Sequence, residues 1–394
     1  MSILYFNPGH ETAVLNASKY YTAPANVVAM QRELSFLPAW YGSSNDVVLV
    51  ESLTEYEDFY PAISKQFPLL PKPIDATSIR DYKNEEVVLW GISPQAIHYM
   101  RSICDTSCII PDWERECLLL HSRETAKECL IKLIDTVEGI SKSIIPQFHT
   151  QLETIEETVN ISSSQLLAKA PYSSSGRGLL WLHQTGITRT EKQILHGILK
   201  KQGAVSVEQV LEKDMDFAME FIVDNQGDIS FEGYSLFFTN AKGSYLGNYL
   251  MSQKEIIAQL TCKISSGVLL QVQEKLTLIL KEKYAPVYKG CIGVDMMLYK
   301  ENGEYKLHPC LEINMRYNMG YLATKLYERY VDPTSKGMFK IDFSAKSGDI
   351  FTRHQENINN HPLSLEGGRI QKGYLPLCPV TEDSHYWAYI LIEN

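Results

Sequence analysis

Asp295, Glu312, Asn314 and Arg316 carry the most legible chemistry in this 394-residue chain. Two carboxylates and an amide oxygen are hard donors of the kind a divalent cation takes, and a guanidinium beside them adds a fixed positive charge. Mg²⁺ held together with substrate phosphates is the usual occupant of such a set. All four lie in GCIGVDMMLYKENGEYKLHPCLEINMRYNMG, residues 290–320, where two apolar runs flank Asn302-Gly303. Asn-Gly is the strongest short hairpin signal because both residues tolerate φ > 0. That turn sets Glu301 against Glu304 and Asp295 against Cys310. Alternation then puts Cys310, Glu312 and Asn314 on one face, with Glu312 diagonal to Asp295 and about 7–8 Å away. Pro309 cannot donate to the ladder and marks a candidate bulge. The bland alternative, a hairpin whose polar face meets only water, loses ground to what lies upstream.

A strand ending in Lys169 runs into Pro171-Tyr172-Ser173-Ser174-Ser175-Gly176-Arg177-Gly178, and another strand leaves that loop over 178–182. Lys169 offers a point charge, and the backbone N–H groups of Ser173, Ser174, Ser175, Gly176, Arg177 and Gly178 can approach phosphate oxygens. The glycines allow φ > 0 and leave room for that approach. The Walker spacing GxxxxGK[ST] is absent, and the loop joins two strands. Further on, a strand over 204–210 turns outward at Glu208, Gln209 and Val210. Its exposed backbone groups can read adenine much as a sheet partner would. Glu208 can accept from the adenine amino group, and Asp216 from ribose hydroxyls.

The elements that must position these groups fall into an α/β (α+β) pattern. Short apolar runs at 3–6, 46–50 and 87–90, each followed by turn chemistry and helix-compatible sequence, give the βα rhythm of a parallel sheet. Two of its loops are ligand candidates. Asn7-Pro8-Gly9-His10-Glu11 follows the first strand at the carboxyl end, where open α/β sheets bind ligands. Gly91-Ile92-Ser93-Pro94 follows the third, with Ser93 as N-cap and Pro94 at the first helical position.

A new unit begins near 113–121. Ser122 caps a helix stopping at Gly139, and an amphipathic helix covers 191–201. Strands follow at 217–223 and, as paired strands, at 229–238. A long helix over 268–284 is closed by Pro286. Beyond 346 the chain reads as polar and irregular through 361, ending in apolar runs at 370–377 and 386–392. The expected boundaries are 1–115 for the βα domain, 116–210 for a unit with the phosphate loop, 211–345 for a unit with the metal hairpin, and 346–394 for a small β extension.

Hydrophobic residues make up 44% of the chain, and the net charge of −10 argues against a general nucleic-acid binder. Eight cysteines without CxxC pairs, a start lacking a basic n-region, and no long apolar run predict a reduced, cytoplasmic protein with no membrane span. The cysteines are expected in the core.

Lysine strand and loop, acidic hinge, then an aspartate followed by Glu-x-Asn: in this order the chain resembles the ATP-grasp superfamily over residues 121–324. The most specific parts are AKAPYSSSGRG and GVDMMLY…LEINMR, the latter similar to the metal hairpins of D-alanine–D-alanine ligase and biotin carboxylase. The resemblance implies an N-terminal Rossmann-like domain, a two-subdomain ATP-grasp core and a C-terminal β extension. It implies that Asp295, Glu312 and Asn314 coordinate two Mg²⁺ ions, with Mn²⁺ as the alternative, bridging the ATP phosphates. Lys169 contacts the phosphates, Glu208, Gln209 and Val210 the adenine, and Asp216, or else Asp214, the ribose. Arg316 stabilises the phosphoryl group in flight. Arg123 stands where many members carry a first phosphate lysine, the loop is serine-rich, and His308-Pro309 interrupts the second metal strand.

The implied reaction is ATP-dependent activation of a small-molecule or peptide carboxylate as an acyl phosphate, with ADP released, for attack by an amine or thiol. Positioning and charge neutralisation dominate such chemistry. A kinase acting on a hydroxyl, and a nucleotide-binding module without turnover, are the alternatives; the joint presence of both metal carboxylates, Arg316 and Lys169 favours the ligase. Neither nucleic acid nor membrane is expected as a partner, and a homo-oligomer is admitted.

Overall fold

The computed structural model describes residues 1–173, 176, 178–240 and 243–393. Among them three sheets form. The first is parallel: β1 (Ser2–Tyr5), β2 (Val47–Leu49), β3 (Lys72–Ile74) and β4 (Glu86–Leu89), in the order β3-β2-β1-β4. Three of these are the apolar runs expected from sequence. The short β3 carries Pro73, which an edge strand tolerates. Because β2 and β3 lie on one side of β1 and β4 on the other, strand order reverses between β1 and β4. The crevice beyond their carboxyl ends is the switch point at which open α/β sheets take ligands.

Both candidate loops open there, and Asn7 ties them together. Its Nδ2 donates to the Gly91 carbonyl at 2.7 Å, and the Gly91 N–H donates to Asn7 Oδ1 at 3.1 Å. As expected, Ser93 caps the helix Pro94–Ile103, its Oγ accepting the Ala96 N–H at 3.3 Å.

The second sheet, antiparallel in the order β5-β8-β6-β7, contains β5 (Gln147–His149), β6 (Leu166–Lys169), β7 (Leu179–Trp181) and β8 (Val205–Gln209). The helices Leu152–Ile161 and Arg189–Gln202 back it, burying Ile155, Val159 and Leu195 against Leu166, Ala168 and Val207. Thr188 and Glu191 close a capping box on the second helix.

The third sheet runs β13-β12-β9-β10-β11-β14-β17-β16-β15. Its members are β9 (Glu212–Val223), β10 (Ile229–Thr239), β11 (Tyr245–Leu250), β12 (Gly290–Glu301), β13 (Glu304–Asn314), β14 (Lys336–Phe343), β15 (Ser364–Glu366), β16 (Arg369–Pro376) and β17 (Tyr386–Glu393). The helices Arg123–Thr136 and Ser266–Lys283 cover one end, packing Leu130, Leu133, Val272 and Leu276 against Phe217, Phe221 and Val294.

Three expectations are corrected here. Residues 229–238 lie in one continuous strand, β10, whose neighbours are β9 and β11. The segment read as irregular through 361 contains the helix Asp349–Asn360; Ile350, His354 and Ile358 recur at helical spacing, but the rest of it is mostly polar, and that composition masked the period. Cys262 is exposed rather than in the core, while Cys104, Cys117, Cys129, Cys291, Cys310 and Cys378 are buried; all eight cysteines are free. No described helix is long and apolar enough to cross a membrane.

Candidate active site

The hairpin turn is as expected: Asn302 and Gly303 take φ of 53° and 81°, and the ladder runs in register from Glu301↔Glu304 to Met297↔His308. There it slips. β12 advances two residues to Asp295 while β13 advances four to Glu312, so Asp295 faces Glu312 and not Cys310. The expected diagonal relationship is corrected to a direct one. Pro309, with no N–H for the ladder, sits inside the bulge. Cys310 instead packs against the helix Arg123–Thr136, its thiol donating to the Ala126 carbonyl at 3.5 Å.

Directly opposed side chains stand about 4.5–5.5 Å apart at Cβ. Burial, and then the charge of Glu312, push the Asp295 carboxyl well above the usual range, while Arg316 and a hydrogen bond from Asn314 pull the other way. Like charges opposed in a ladder are unfavourable unless a cation lies between them. The donor set therefore suits a hard divalent ion. Among the described residues no three His, Cys, Asp or Glu side chains cluster closely enough to hold an ion alone. An ion here would complete its shell with oxygens from a ligand or water, as Mg²⁺ commonly does.

Arg123 joins the hairpin to the phosphate loop. It begins its helix behind a Ser122 cap, and its guanidinium donates to Glu312 Oε2 at 2.5 Å, Ser173 Oγ at 2.6 Å and the Ala170 carbonyl at 2.8 Å. Lys169, at the end of β6, is buried and paired with Glu208 across the sheet. Gly176 and Gly178 both take φ of 74°. A Cβ on Gly176 would come within 2.7 Å of the Gly243 carbonyl oxygen, so this loop meets the β10–β11 turn of the neighbouring sheet. Ser174, Ser175 and Arg177 lie outside the described residues.

The nucleotide edge is only partly available. Gln209 pairs with Leu166 and its side chain donates to Ser164 Oγ, while the Val210 N–H donates to the Gln165 carbonyl at 2.9 Å. The Val210 amide expected to read adenine is therefore already engaged within the sheet. A bulge in β9 at Asp214 separates the two ribose candidates: Asp214 pairs with Lys263, whereas Asp216 accepts from Lys213 at 2.6 Å and Thr239 at 3.2 Å.

Arg316 reaches the switch point. Just past β13, it forms a bridge with Gly91, and the next N–H, of Tyr317, donates to the Trp90 carbonyl at 2.8 Å. Tyr317 stacks on Tyr41 with centroids 4.6 Å apart. Arg316 donates from Nε to Glu11 Oε1 at 2.5 Å and from Nη2 to Asn314 Oδ1 at 3.2 Å. Burial is the largest single influence on each member of the Arg316–Glu11 pair and works against its charge, yet the partner's charge together with neighbouring charges and hydrogen bonds prevails: Glu11 sits well below the usual carboxylate range and Arg316 is raised. His10, Glu11, His121, Tyr172, Glu312 and Asn314 line one cleft.

Sequence reasoning missed His121, Glu220, His308 and Asn318 as groups of the site. Glu220 is buried in β9, accepting from Ser235 Oγ at 2.8 Å and Asn318 Nδ2 at 2.7 Å. Burial raises it to about 7 against those hydrogen bonds. Asn318 also caps the helix Met319–Tyr330, so it ties the tail of the hairpin to the sheet. His308 is buried beside Lys169, and burial and that charge push it down to about 3. Asn318, two residues past Arg316, could have been suspected from spacing; the others carry no local signal.

No family model matches the sequence, and no curated protein matches it. Solved structures do. Biotin carboxylase from Campylobacter jejuni, in a β-γ-ATP complex, superposes with a TM-score of 0.53 at 11% identity, over 100% of this chain and 87% of that one. N5-carboxyaminoimidazole synthetase from Staphylococcus aureus gives 0.50 at 12% identity, over 100% and 93%. At such identities the likeness is one of fold. Taken with the parallel sheet, the loop-bearing antiparallel sheet and the carboxylate hairpin, it shows that this chain has the fold of the ATP-grasp superfamily.

Proposed function

We propose that the protein is an ATP-dependent ligase that activates a small-molecule or peptide carboxylate as an acyl phosphate, releases ADP, and passes the acyl group to an amine or thiol. One observation carries the reading: Asp295 and Glu312 are opposed in the ladder, with Asn314 and then Arg316 following on the same strand tail. Asp295, Glu312 and Asn314 would hold Mg²⁺, one or two ions, which when bound neutralises phosphate charge and orients the triphosphate.

The chain's own residues supply the rest. Lys169 and the glycine-bearing loop bind phosphate oxygens, and Asp216 the ribose. Arg123, reaching Ser173 and Glu312 together, keeps loop and hairpin at a fixed separation. Arg316 lies where the N-terminal crevice meets the metal carboxylates, so its charge serves both the transferring phosphoryl group and the acyl phosphate that follows. The carboxylate substrate attacks the γ-phosphorus through oxygen; ADP departs; the nucleophile then displaces phosphate at the acyl carbon. The test is Mg²⁺-dependent ADP release by the purified protein against a panel of carboxylates and amines. Release that survives Glu312→Ala undiminished would remove the proposed role of the hairpin.

A further inference from the structure

Three cations of the cleft are each matched with a carboxylate: Arg123 with Glu312, Lys169 with Glu208 and Arg316 with Glu11. The first pair differs from the other two. Glu312 is also a proposed metal ligand, so Arg123 already holds an oxygen that the ion needs.

The geometry of that hold is specific. Arg123 Nη2 donates to Glu312 Oε2 at 2.5 Å, a charge-assisted bond between side chains only 10% and 21% exposed. Nη1 is anchored on the loop, donating to the Ala170 carbonyl at 2.8 Å and to Ser173 Oγ at 2.6 Å. The backbone N–H of Arg123 donates to the Pro171 carbonyl at 3.0 Å and ties the helix start to the same loop. The guanidinium keeps its proton in a protein, so its charge is fixed.

The arrangement is incomplete on both sides. Arg123 Nε is buried with no hydrogen-bond partner among the described residues. A guanidinium N–H can only donate, so the partner it lacks is an acceptor, and a buried donor left unmet costs free energy. Opposite Glu312, Asp295 forms no ion pair among the described residues, and burial and the charge of Glu312 push its carboxyl up. A divalent ion entering alone would find one Glu312 oxygen taken and a guanidinium facing it, and a partly buried setting strengthens that repulsion. Phosphate oxygens change the balance, because they bring negative charge and acceptors for Arg123.

We infer that Arg123 is a latch that makes metal binding conditional on nucleotide: in the empty site it stands in for the ion on Glu312, and phosphate oxygens draw it off. Nη1 stays on the loop while Nη2 and Nε turn to phosphate, and Glu312 Oε2 passes to the ion. The inference rests on the reading of Asp295, Glu312 and Asn314 as metal ligands. It adds an order to that reading: the nucleotide binds first or together with the ion. The coupling is reciprocal, so the ion tightens nucleotide binding by the same factor.

Manganese titrations of the full chain, followed by electron paramagnetic resonance without turnover, test the latch. In the absence of nucleotide, Arg123→Gln should bind Mn²⁺ at least about fivefold more tightly than wild type. Lys169→Gln removes an equal charge whose partner is no metal ligand, and should stay within about twofold of wild type. Equal gains in the two variants would make the effect one of general charge and overturn the latch. So would an Arg123→Gln that binds Mn²⁺ alone no better than wild type while both bind it with ADP; the metal reading would then stand. A wild type that takes no Mn²⁺ even with saturating ADP refutes the metal reading, and the latch with it.

The wild type gives a second measurement that does not depend on how glutamine at 123 folds. In nitrogen-15 spectra of the arginine side chains, the Arg123 Nε–H resonance is the one lost in Arg123→Lys. ADP without metal should shift it, and Mg²⁺ without nucleotide should leave it in place. A resonance that ADP does not move, or that Mg²⁺ alone does, overturns the latch.

Discussion

Asp295 and Glu312 face each other across the β12–β13 ladder only because β13 carries two more residues than β12 between that pair and Met297↔His308. Continued without the bulge, the turn would have set Asp295 against a thiol that now packs in the core. The bulge at Pro309 thus converts an ordinary hairpin into a pair of apposed carboxylates, and the pKa of Asp295 is driven up.

Removing one member of that pair should separate metal binding from folding. Asp295→Asn relieves the opposition, so without metal the variant should melt no lower than wild type. The rise in Tm that Mg²⁺ and nucleotide produce by binding the native state should disappear. ADP release should fall on the order of 10³-fold, since several kcal/mol of charge stabilisation go with the ion. Thermal scans with and without Mg²⁺ decide the first point; a preserved Mg²⁺-induced rise would sink it.

Lys169→Ala should weaken nucleotide binding by roughly 10–100-fold, the worth of a charge-assisted hydrogen bond of about 1.5–3 kcal/mol. The variant also leaves Glu208 without its cation, so Lys169→Ala with Glu208→Gln is the fairer comparison. Titration calorimetry with ADP reads the affinity. An unchanged Kd in both would refute the phosphate role.

Glu220 makes stability fall with rising pH. Its folded pKa of about 7 lies above its ordinary 4.5, so the folded state holds the proton more tightly. The stabilisation is fully present below about pH 4.5 and is lost as pH rises through about 7. At about 1.4 kcal/mol per tenfold in proton affinity, the loss is on the order of 3 kcal/mol. Glu220→Gln keeps a hydrogen-bonding group for both Ser235 and Asn318 and should flatten the curve, ending more stable than wild type at pH 8. Urea unfolding as a function of pH measures it; parallel curves would show the assignment to be mistaken.

Gly91→Ala should displace His10. The added methyl would lie 2.3 Å from the imidazole Cγ, and the ring is already enclosed. A cost of about 1–3 kcal/mol is typical of such overpacking. Chemical denaturation gives the value, and a wild-type midpoint would mean that the loop yields at no expense.

The local features of the site were legible where one short stretch encodes them. Asn302-Gly303 forced both residues to positive φ, Ser122 and Ser93 capped the helices they precede, and Lys169 ends its strand against a glycine-bearing loop. Other features were not, because their causes lie far off in the chain. The register slip depends on how β12 and β13 pack against β9 and the helix behind them. His121 meets His10, over a hundred residues away, only in the folded chain. The helix at 349–360 is periodic but mostly polar, so its composition reads as a loop.

From its sequence alone, then, this chain determined which donors it owns, the turn that brings them near, and the alternation of βα units that makes a crevice. Tertiary structure decided which donors meet. Side-chain period and turn type are properties of adjacent residues, but the bridge from Arg316 to Gly91 and its pairing with Glu11 exist only once the sheet order reverses at β1 and β4 and the hairpin tail is laid across that gap.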